Sequence, residues 1–269
     1  MTSPILKAVI DDIAAHGLQF EMRGAVALIR LAKPQKRNAL NDGLVKALRD
    51  IFTHMPEEAR VAVIHGEGEH FCAGLDLSEL QERDAAQGVF HSRSWHAALD
   101  ALQFGRVPVI AALHGAVVGG GLELASACHI RVADDSTFYA LPEGMRGIFV
   151  GGGGSVRIPK LIGVARMTDM MMTGRVYDGV EGERVGFAQY HVPQGEALDK
   201  AMQLAVRVAD NAPMTNYALT HALPRIAEQP ADHGLLTEAL ISSITQSAPE
   251  AKARVAAFLA GKAAKVKKA

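Results

Sequence analysis

Two glutamates and a run of glycines are the residues of this chain best suited to chemistry. Gly119-Gly120-Gly121-Leu122-Glu123 is followed, twenty positions after Glu123, by Glu143 in Leu141-Pro142-Glu143-Gly144. Consecutive glycines let the backbone turn tightly and bring bare N–H groups against a ligand. A helix starting just behind them would add its positive end to those donors. The stretch Leu122 to Ile130 has that character, with Leu124 and the Ala127/Cys128 pair at helical spacing, which puts Glu123 in the first turn. A lone glutamate there would serve equally well as a charge capping the helix dipole. A second carboxyl, fixed between a proline and a glycine-rich loop, points instead to an acid/base pair, one group holding a proton while the other accepts one.

The rest of the chain must position that pair, and its composition narrows the options. Its 269 residues suffice for one large domain with or without an appendage, and 49% hydrophobic residues can build a substantial core. A net charge of −1 advertises neither nucleic acid nor a membrane surface as partner. The two cysteines, Cys72 and Cys128, cannot make a disulfide framework, and no Cys/His spacing suggests a metal. Met1–Gly17 carries Asp11 and Asp12 and does not read as a signal peptide. No apolar run reaches the roughly 18 residues of a membrane helix. The expectation is a soluble, cytoplasmic protein. No nucleotide-binding glycine motif, zinc-protease motif or serine-hydrolase elbow is present. The histidines are scattered; His65, His114 and His129 fall in or beside apolar segments and read as structural, and none is assigned to catalysis.

Short strands alternate with helices through the first two-thirds of the chain. Leu18–Met22 and Ala25–Leu31 form a hairpin pattern broken at Arg23-Gly24, and Asn41 or Asp42 caps a helix bearing Leu44, Val45, Leu48, Ile51 and Phe52 on one face. Val61–His65 is a strand, Phe71–Leu77 leads into a helical stretch, and a helix from about Val89 to Phe104 carries the only tryptophan, Trp95. Val107–Leu113 is a strand that runs into the glycines, and a helix follows from Ser155 towards Ile162. This rhythm predicts an α/β fold. From about residue 199 the pattern is helical: Ala197–Asn211, Pro213–Ala227 with a kink at Pro224, His233–Gln246 and Pro249–Leu259. Each has an apolar stripe, such as Leu235, Leu236, Ala239, Leu240 and Ile244, that needs a covering surface. The lysine-rich end, from Lys262 to Ala269, reads as a solvated terminus.

Three segments in order, FCAGLDL (Phe71–Leu77), HGAVVGGGLELASACHIRVA (His114–Ala133) and ALPEGMRGIFVGGGGSVR (Ala140–Arg157), resemble the signature blocks of the crotonase, or enoyl-CoA hydratase/isomerase, superfamily. Weaker similarity extends from Arg37-Asn38-Ala39-Leu40 to Ala257-Phe258-Leu259. The resemblance implies a crotonase-type ββα spiral over residues 1–198 as the acyl-CoA-binding catalytic core, and a helical trimerisation region over 199–269. It implies a homotrimer, or a hexamer built as a dimer of trimers.

Transferred residue by residue, the resemblance makes Glu123 and Glu143 the two glutamates that hold an attacking water, with Glu143 exchanging the proton at the α-carbon. It makes the N–H groups of Leu75 and Gly120 the oxyanion hole for the thioester oxygen. Gly119 is expected not to face the acyl group. Lys36 and Arg37 stand where relatives keep a cation near the coenzyme A phosphates; the backbone around Ala73, Asp76 and Leu77 would hold adenine, and Ala39 is a further coenzyme A contact. Phe258 and Lys262 resemble an aromatic and a cation that close over coenzyme A, although Leu259-Ala260-Gly261 separates them. Gly144, Arg146 and Gly151 would border the acyl pocket.

Coenzyme A enters as part of the substrate, and neither a separate cofactor nor a metal is expected. The expected activity is addition of water to a 2-enoyl-CoA. Thioester hydrolysis is the alternative, alone or combined with hydration on an unusual substrate such as methylthioacryloyl-CoA. Val150-Gly151-Gly152-Gly153-Gly154 where relatives often read P-G-A-G-G, and Gly144-Met145-Arg146 where they carry larger aliphatics, bear on the substrate rather than the reaction. A catalytically idle scaffold is the competing class. A glycosidase, which would also use two carboxyls, is disfavoured by an aromatic content of 5%.

Overall fold

A computed structural model describes residues 4–79 and 82–262. The chain forms two compact units, Met1–Ala209 and Asp210–Ala269. Residues 263–269, and with them most of the lysine-rich end, lie outside the described part.

In the first unit, α1 (Pro4–Ala15) precedes the antiparallel hairpin of β1 (Leu18–Arg23) and β2 (Val26–Leu31). Gly24 turns the hairpin with φ of 61°, in the left-handed region that glycine enters without strain. Then follow α2 (Asp42–Thr53), β3 (Val61–Gly66), α3 (Ala85–Gln103), β4 (Val109–Leu113), β5 (Ala116–Val118), α4 (Gly120–Ala127), β6 (Ile130–Asp134) and β7 (Phe138–Ala140). The unit closes with α5 (Gly154–Ile162), α6 (Val164–Thr173), β8 (Tyr177–Asp178), α7 (Gly179–Val185), β9 (Tyr190–Val192) and α8 (Ala197–Asp210). The six-stranded sheet has the order β1-β2-β3-β4-β6-β9, parallel from β2 onward. A second sheet has the order β5-β7-β8.

Alternation along the strands gives the large sheet two apolar faces. Ala27, Ile29, Leu31, Ala62, Ile64, Ala111 and Leu113 join the main core, which takes in the buried face of α2. Val26, Leu28, Val61, Val63, Ile110 and Ala112 point the other way and are covered by Ala197, Ala201, Leu204 and Ala205 of α8. The sheet therefore claims α8, and the boundary falls at Ala209/Asp210 rather than after residue 198.

Local capping explains the helix limits. Asn41 caps α2, its Oδ1 accepting from the Leu44 N–H at 2.9 Å. The helix expected from Val89 begins at Ala85, because Asp84 and Gln87 form a reciprocal capping box. The helix expected from Leu122 to Ile130 runs from Gly120 to Ala127, because Ile130–Ala133 pair with β4. After Leu77 there is only a 3₁₀ turn, Leu77–Glu79. His129 is structural as expected: Nδ1 accepts from the Val109 N–H, leaving Nε2 to donate to the Gln103 carbonyl, each at 2.9 Å.

The second unit contains α9 (Pro213–Tyr217), a π turn (Ala218–Ala222), α10 (Leu223–Ile226), α11 (Ala231–Ser247) and α12 (Pro249–Leu259). The irregularity expected at Pro224 takes the form of the π turn just ahead of it, which accommodates the missing N–H. The apolar stripe of α11 is exposed in the single chain, Leu235, Leu236, Leu240 and Ile244 by 65, 64, 58 and 48%. Among the described residues no helix is long and apolar enough to cross a membrane.

Candidate active site

The glycine run turns from β5 into α4, and each glycine is required for a different reason. Gly119 has φ of 53°, and a Cβ there would lie 2.6 Å from Glu143 Oε1. A Cβ on Gly120 would meet the Trp95 ring at 3.3 Å and lie 3.7 Å from the Leu75 nitrogen. One on Gly121 would collide with the Cys72 carbonyl at 2.3 Å. Gly119 thus faces Glu143, a contact that the expectation about the acyl group does not bear on. The backbone nitrogens of Leu75 and Gly120 lie side by side, since a Cβ on Gly74 would itself be 3.6 Å from the Gly120 nitrogen. Leu75 is placed by a bridge to Leu40, in which the Leu40 N–H donates to Gly74 and the Asp76 N–H to Leu40. That pairing leaves the Leu75 N–H free to point elsewhere.

Glu123, in the first turn of α4, is only 4% exposed. Its Oε1 accepts from the N–H groups of Gly152 and Gly154, each at 2.8 Å. Burial pushes its pKa up to about 7, against the pull of those two amides and with the charge of Glu143 adding to the rise. Glu143, 9% exposed, follows β7; its Oε2 is buried and has no hydrogen-bond partner among the described residues. Burial raises its pKa as well, with its own backbone and Arg146 opposing. The site therefore holds two carboxyls with raised proton affinity, within electrostatic reach of each other and next to two adjacent amides. Such a group can polarise a carbonyl oxygen and shuttle a proton.

The Gly151–Gly154 loop has a support that no sequence motif announces. Arg157 on α5 is 8% exposed and donates through Nη1 to the Gly152 carbonyl at 3.2 Å. Its other nitrogens reach Gln103 Oε1 at 2.7 Å and Asp100 Oδ1 at 2.6 Å. The loop presents its two N–H groups to Glu123 because this arginine anchors it to α3. A lone arginine in the first turn of a helix carries no signal of that in sequence.

Lys36 is engaged within the protein, Nζ donating to the buried carboxylate of Asp76 at 2.7 Å and to Ser78 Oγ at 2.9 Å. Hydrogen bonds from Lys36 and then Ser78 hold Asp76 at about 2. Arg37, by contrast, is exposed and left-handed, with φ of 51°. The N–H of Ala73 is committed to the Arg37 carbonyl at 2.9 Å; Ala39 is half-buried and Leu77 is half-exposed. Gly144 packs on α6, where a Cβ would strike the Met171 carbonyl at 2.1 Å, so its smallness serves that contact. Arg146 is exposed, and Gly151 faces Ser92. Phe258 and Lys262 belong to the second unit and are both exposed.

Sheet order, the turn into α4 and the paired carboxyls define a crotonase-fold protein. The sequence profile of the enoyl-CoA hydratase/isomerase family matches residues 21–267, and the chain belongs to that family. It is similar to a solved structure from Rhodopseudomonas palustris, provisionally named an enoyl-CoA hydratase: 60% identity, 93% of this chain and 97% of that one covered, TM-score 0.90. It is 34% identical over 223 residues to the carnitinyl-CoA dehydratase of Proteus mirabilis, covering 82% of this chain and 85% of the relative. To the human mitochondrial enoyl-CoA hydratase domain-containing protein 2 it is 36% identical over 209 residues, covering 74% and 71%.

Proposed function

We propose that this chain is a lyase that adds water across the double bond of a 2-enoyl-CoA thioester. The observation that carries the reading is the meeting of two buried, proton-retaining glutamates with the adjacent Leu75 and Gly120 amides. In this reading the thioester oxygen accepts from both amides, and the positive end of α4 lies behind Gly120. Each such donor aimed at enolate charge is typically worth about 3 kcal/mol. The reaction needs one of the two carboxyls protonated and the other ionised, and burial, which raises both, together with the Glu143 charge acting on Glu123, favours such a division. The ionised carboxylate takes a proton from water as its oxygen bonds to the β-carbon. The electron pair of the double bond moves into the enolate, and protonated Glu143 returns a proton to the α-carbon. The relative named for dehydrating carnitinyl-CoA supports water chemistry at the carbon skeleton over attack on the thioester.

Arg37 supports coenzyme A binding as the exposed cation next to the bridge that sets Leu75. The exposed stripe of α11 supports a homotrimer or hexamer, which light scattering would test. The decisive assay is incubation with crotonyl-CoA while enone absorbance and free thiol are followed in parallel. Loss of absorbance without thiol is expected. Thiol release would replace the lyase with a hydrolase, and no change in either would remove the reading.

A further inference from the structure

We infer that the indole of Trp95 is the wall that limits the size of the acyl group, and that Asp42 pins that wall in place; this rests on the acyl-CoA reading above. Trp95 lies on α3 and is 5% exposed. A Cβ built on Gly120 would meet its Cζ3 at 3.3 Å and its Cη2 at 3.6 Å. A Cβ built on Gly152 would meet its Cε3 at 3.2 Å and Glu123 Oε2 at 3.0 Å. The six-membered ring therefore spans the gap between the Gly120 amide and the loop that holds Glu123. Those are the two features a thioester must touch at once, and the carbons between them run along the indole.

The ring is fixed from its far end. Trp95 Nε1–H donates to Asp42 Oδ1 at 3.2 Å. His91 Nε2 bonds the same oxygen at 2.6 Å, and its ring leans on the indole with centroids 5.9 Å apart. Arg83 pairs with Oδ2 at 3.2 Å. Swinging the indole aside would break the bond to Asp42 and leave a buried N–H without a partner. A pinned aromatic wall of this kind admits a crotonyl-sized chain and refuses a long one.

The test compares kcat/KM for crotonyl-CoA and trans-2-decenoyl-CoA in wild type, Trp95→Ala, Trp95→Phe, Asp42→Ala and Asp42→Asn. A rigid pocket gains or loses about 10-fold or more per methylene it admits or refuses. Trp95→Ala should therefore raise the decenoyl/crotonyl ratio at least tenfold, with Trp95→Phe between it and wild type. Asp42→Ala should move the ratio the same way by less, and Asp42→Asn, which keeps an oxygen for Nε1–H, should restore it. Trp95 is the chain's sole tryptophan, so its emission reads the pin directly. Asp42→Ala should shift that emission and Asp42→Asn should not.

A folded Trp95→Ala enzyme with an unchanged ratio overturns the inference. If Trp95→Ala does not fold, Trp95→Leu carries the same comparison. If wild type binds butyryl-CoA by calorimetry yet hydrates neither enoyl thioester, the lyase reading fails by itself. The wall then stands or falls on the decanoyl-CoA to butyryl-CoA affinity ratio in the same variants. Failure of wild type to bind any of these thioesters overturns both.

Discussion

The two glutamates occupy opposite kinds of surroundings. Glu123 sits on a helix, clasped by two loop amides that an arginine anchors behind it. Glu143 sits at the mouth of a loop whose next six residues, Gly144 to Phe149, are exposed, and one of its oxygens has no partner among the described residues. A clasped carboxylate keeps its orientation through a turnover, whereas an unpartnered one can give up or collect a proton without breaking a bond. In the proposed reaction, in which both groups hold the water, that difference keeps Glu123 fixed and leaves Glu143, the group proposed to move the proton to carbon, free to change protonation.

The most severe way to break that comparison is to remove proton transfer from each side. Glu143→Gln and Glu123→Gln should each lower kcat on crotonyl-CoA by about 10²–10⁴-fold while thioester binding persists. Near-normal turnover by both would sink the assignment. Gly120→Pro comes next. Gly120 is the first residue of α4, where proline fits a helix, so the substitution removes the N–H, while its ring carbons also press on the Trp95 indole, whose emission reports any shift. A loss of about 10²–10³-fold in kcat is expected once circular dichroism shows an intact fold. A folded variant with undiminished kcat would mean that the thioester is polarised elsewhere.

Gly119→Ala sharpens the contrast from the Glu143 side. A methyl there enters the left-handed region and lies 2.6 Å from Glu143 Oε1. Denaturant unfolding should show a loss on the order of 1–3 kcal/mol, accompanied by slower turnover. Unchanged stability would show that the turn relaxes more than its geometry suggests.

The smallest effect is in the pH dependence of stability. Folded Glu123 titrates at about 7 instead of 4.5, so the fold favours its protonated form. The resulting stabilisation is complete below pH 4.5 and is lost as pH rises through about 7. His65, pushed down to about 4 by burial, works in the opposite sense over an overlapping range. The Tm of wild type minus that of Glu123→Gln isolates the glutamate and should fall across that window. A flat difference would mean that the clasp leaves no net preference for the proton.

Much of this arrangement could be read from the sequence because it rests on local rules. Asn41 caps a helix, Gly24 turns a hairpin, and a carboxyl in a first turn after glycines lies where helical spacing puts it. What could not be read was set by distant partners. The early end of α4 follows from strand pairing at Ile130, the assignment of α8 to the first unit from the bare face of the sheet, and the engagement of Lys36 from Asp76 forty residues away. Gly144 reads in sequence as pocket lining, and its close packing against the Met171 carbonyl, which leaves no room for a side chain, comes from a residue far along the chain. Arg157 and Trp95 had no motif to announce them, since each acts through contacts across the fold. The helix Pro4–Ala15 went unread, although Ile13 is fully buried in the core.

Cys72 and Cys128 are both free and buried, and burial pushes each thiol up to about 12. Only a thiolate reacts readily with a disulfide reagent, so in the native protein both are silent. A colorimetric thiol assay run on this enzyme reports released coenzyme A with no background from the protein. Under denaturant the same reagent becomes a clock. Cys72 lies directly beneath the glycine turn, so the rate at which it is labelled is the rate at which the active-site floor opens.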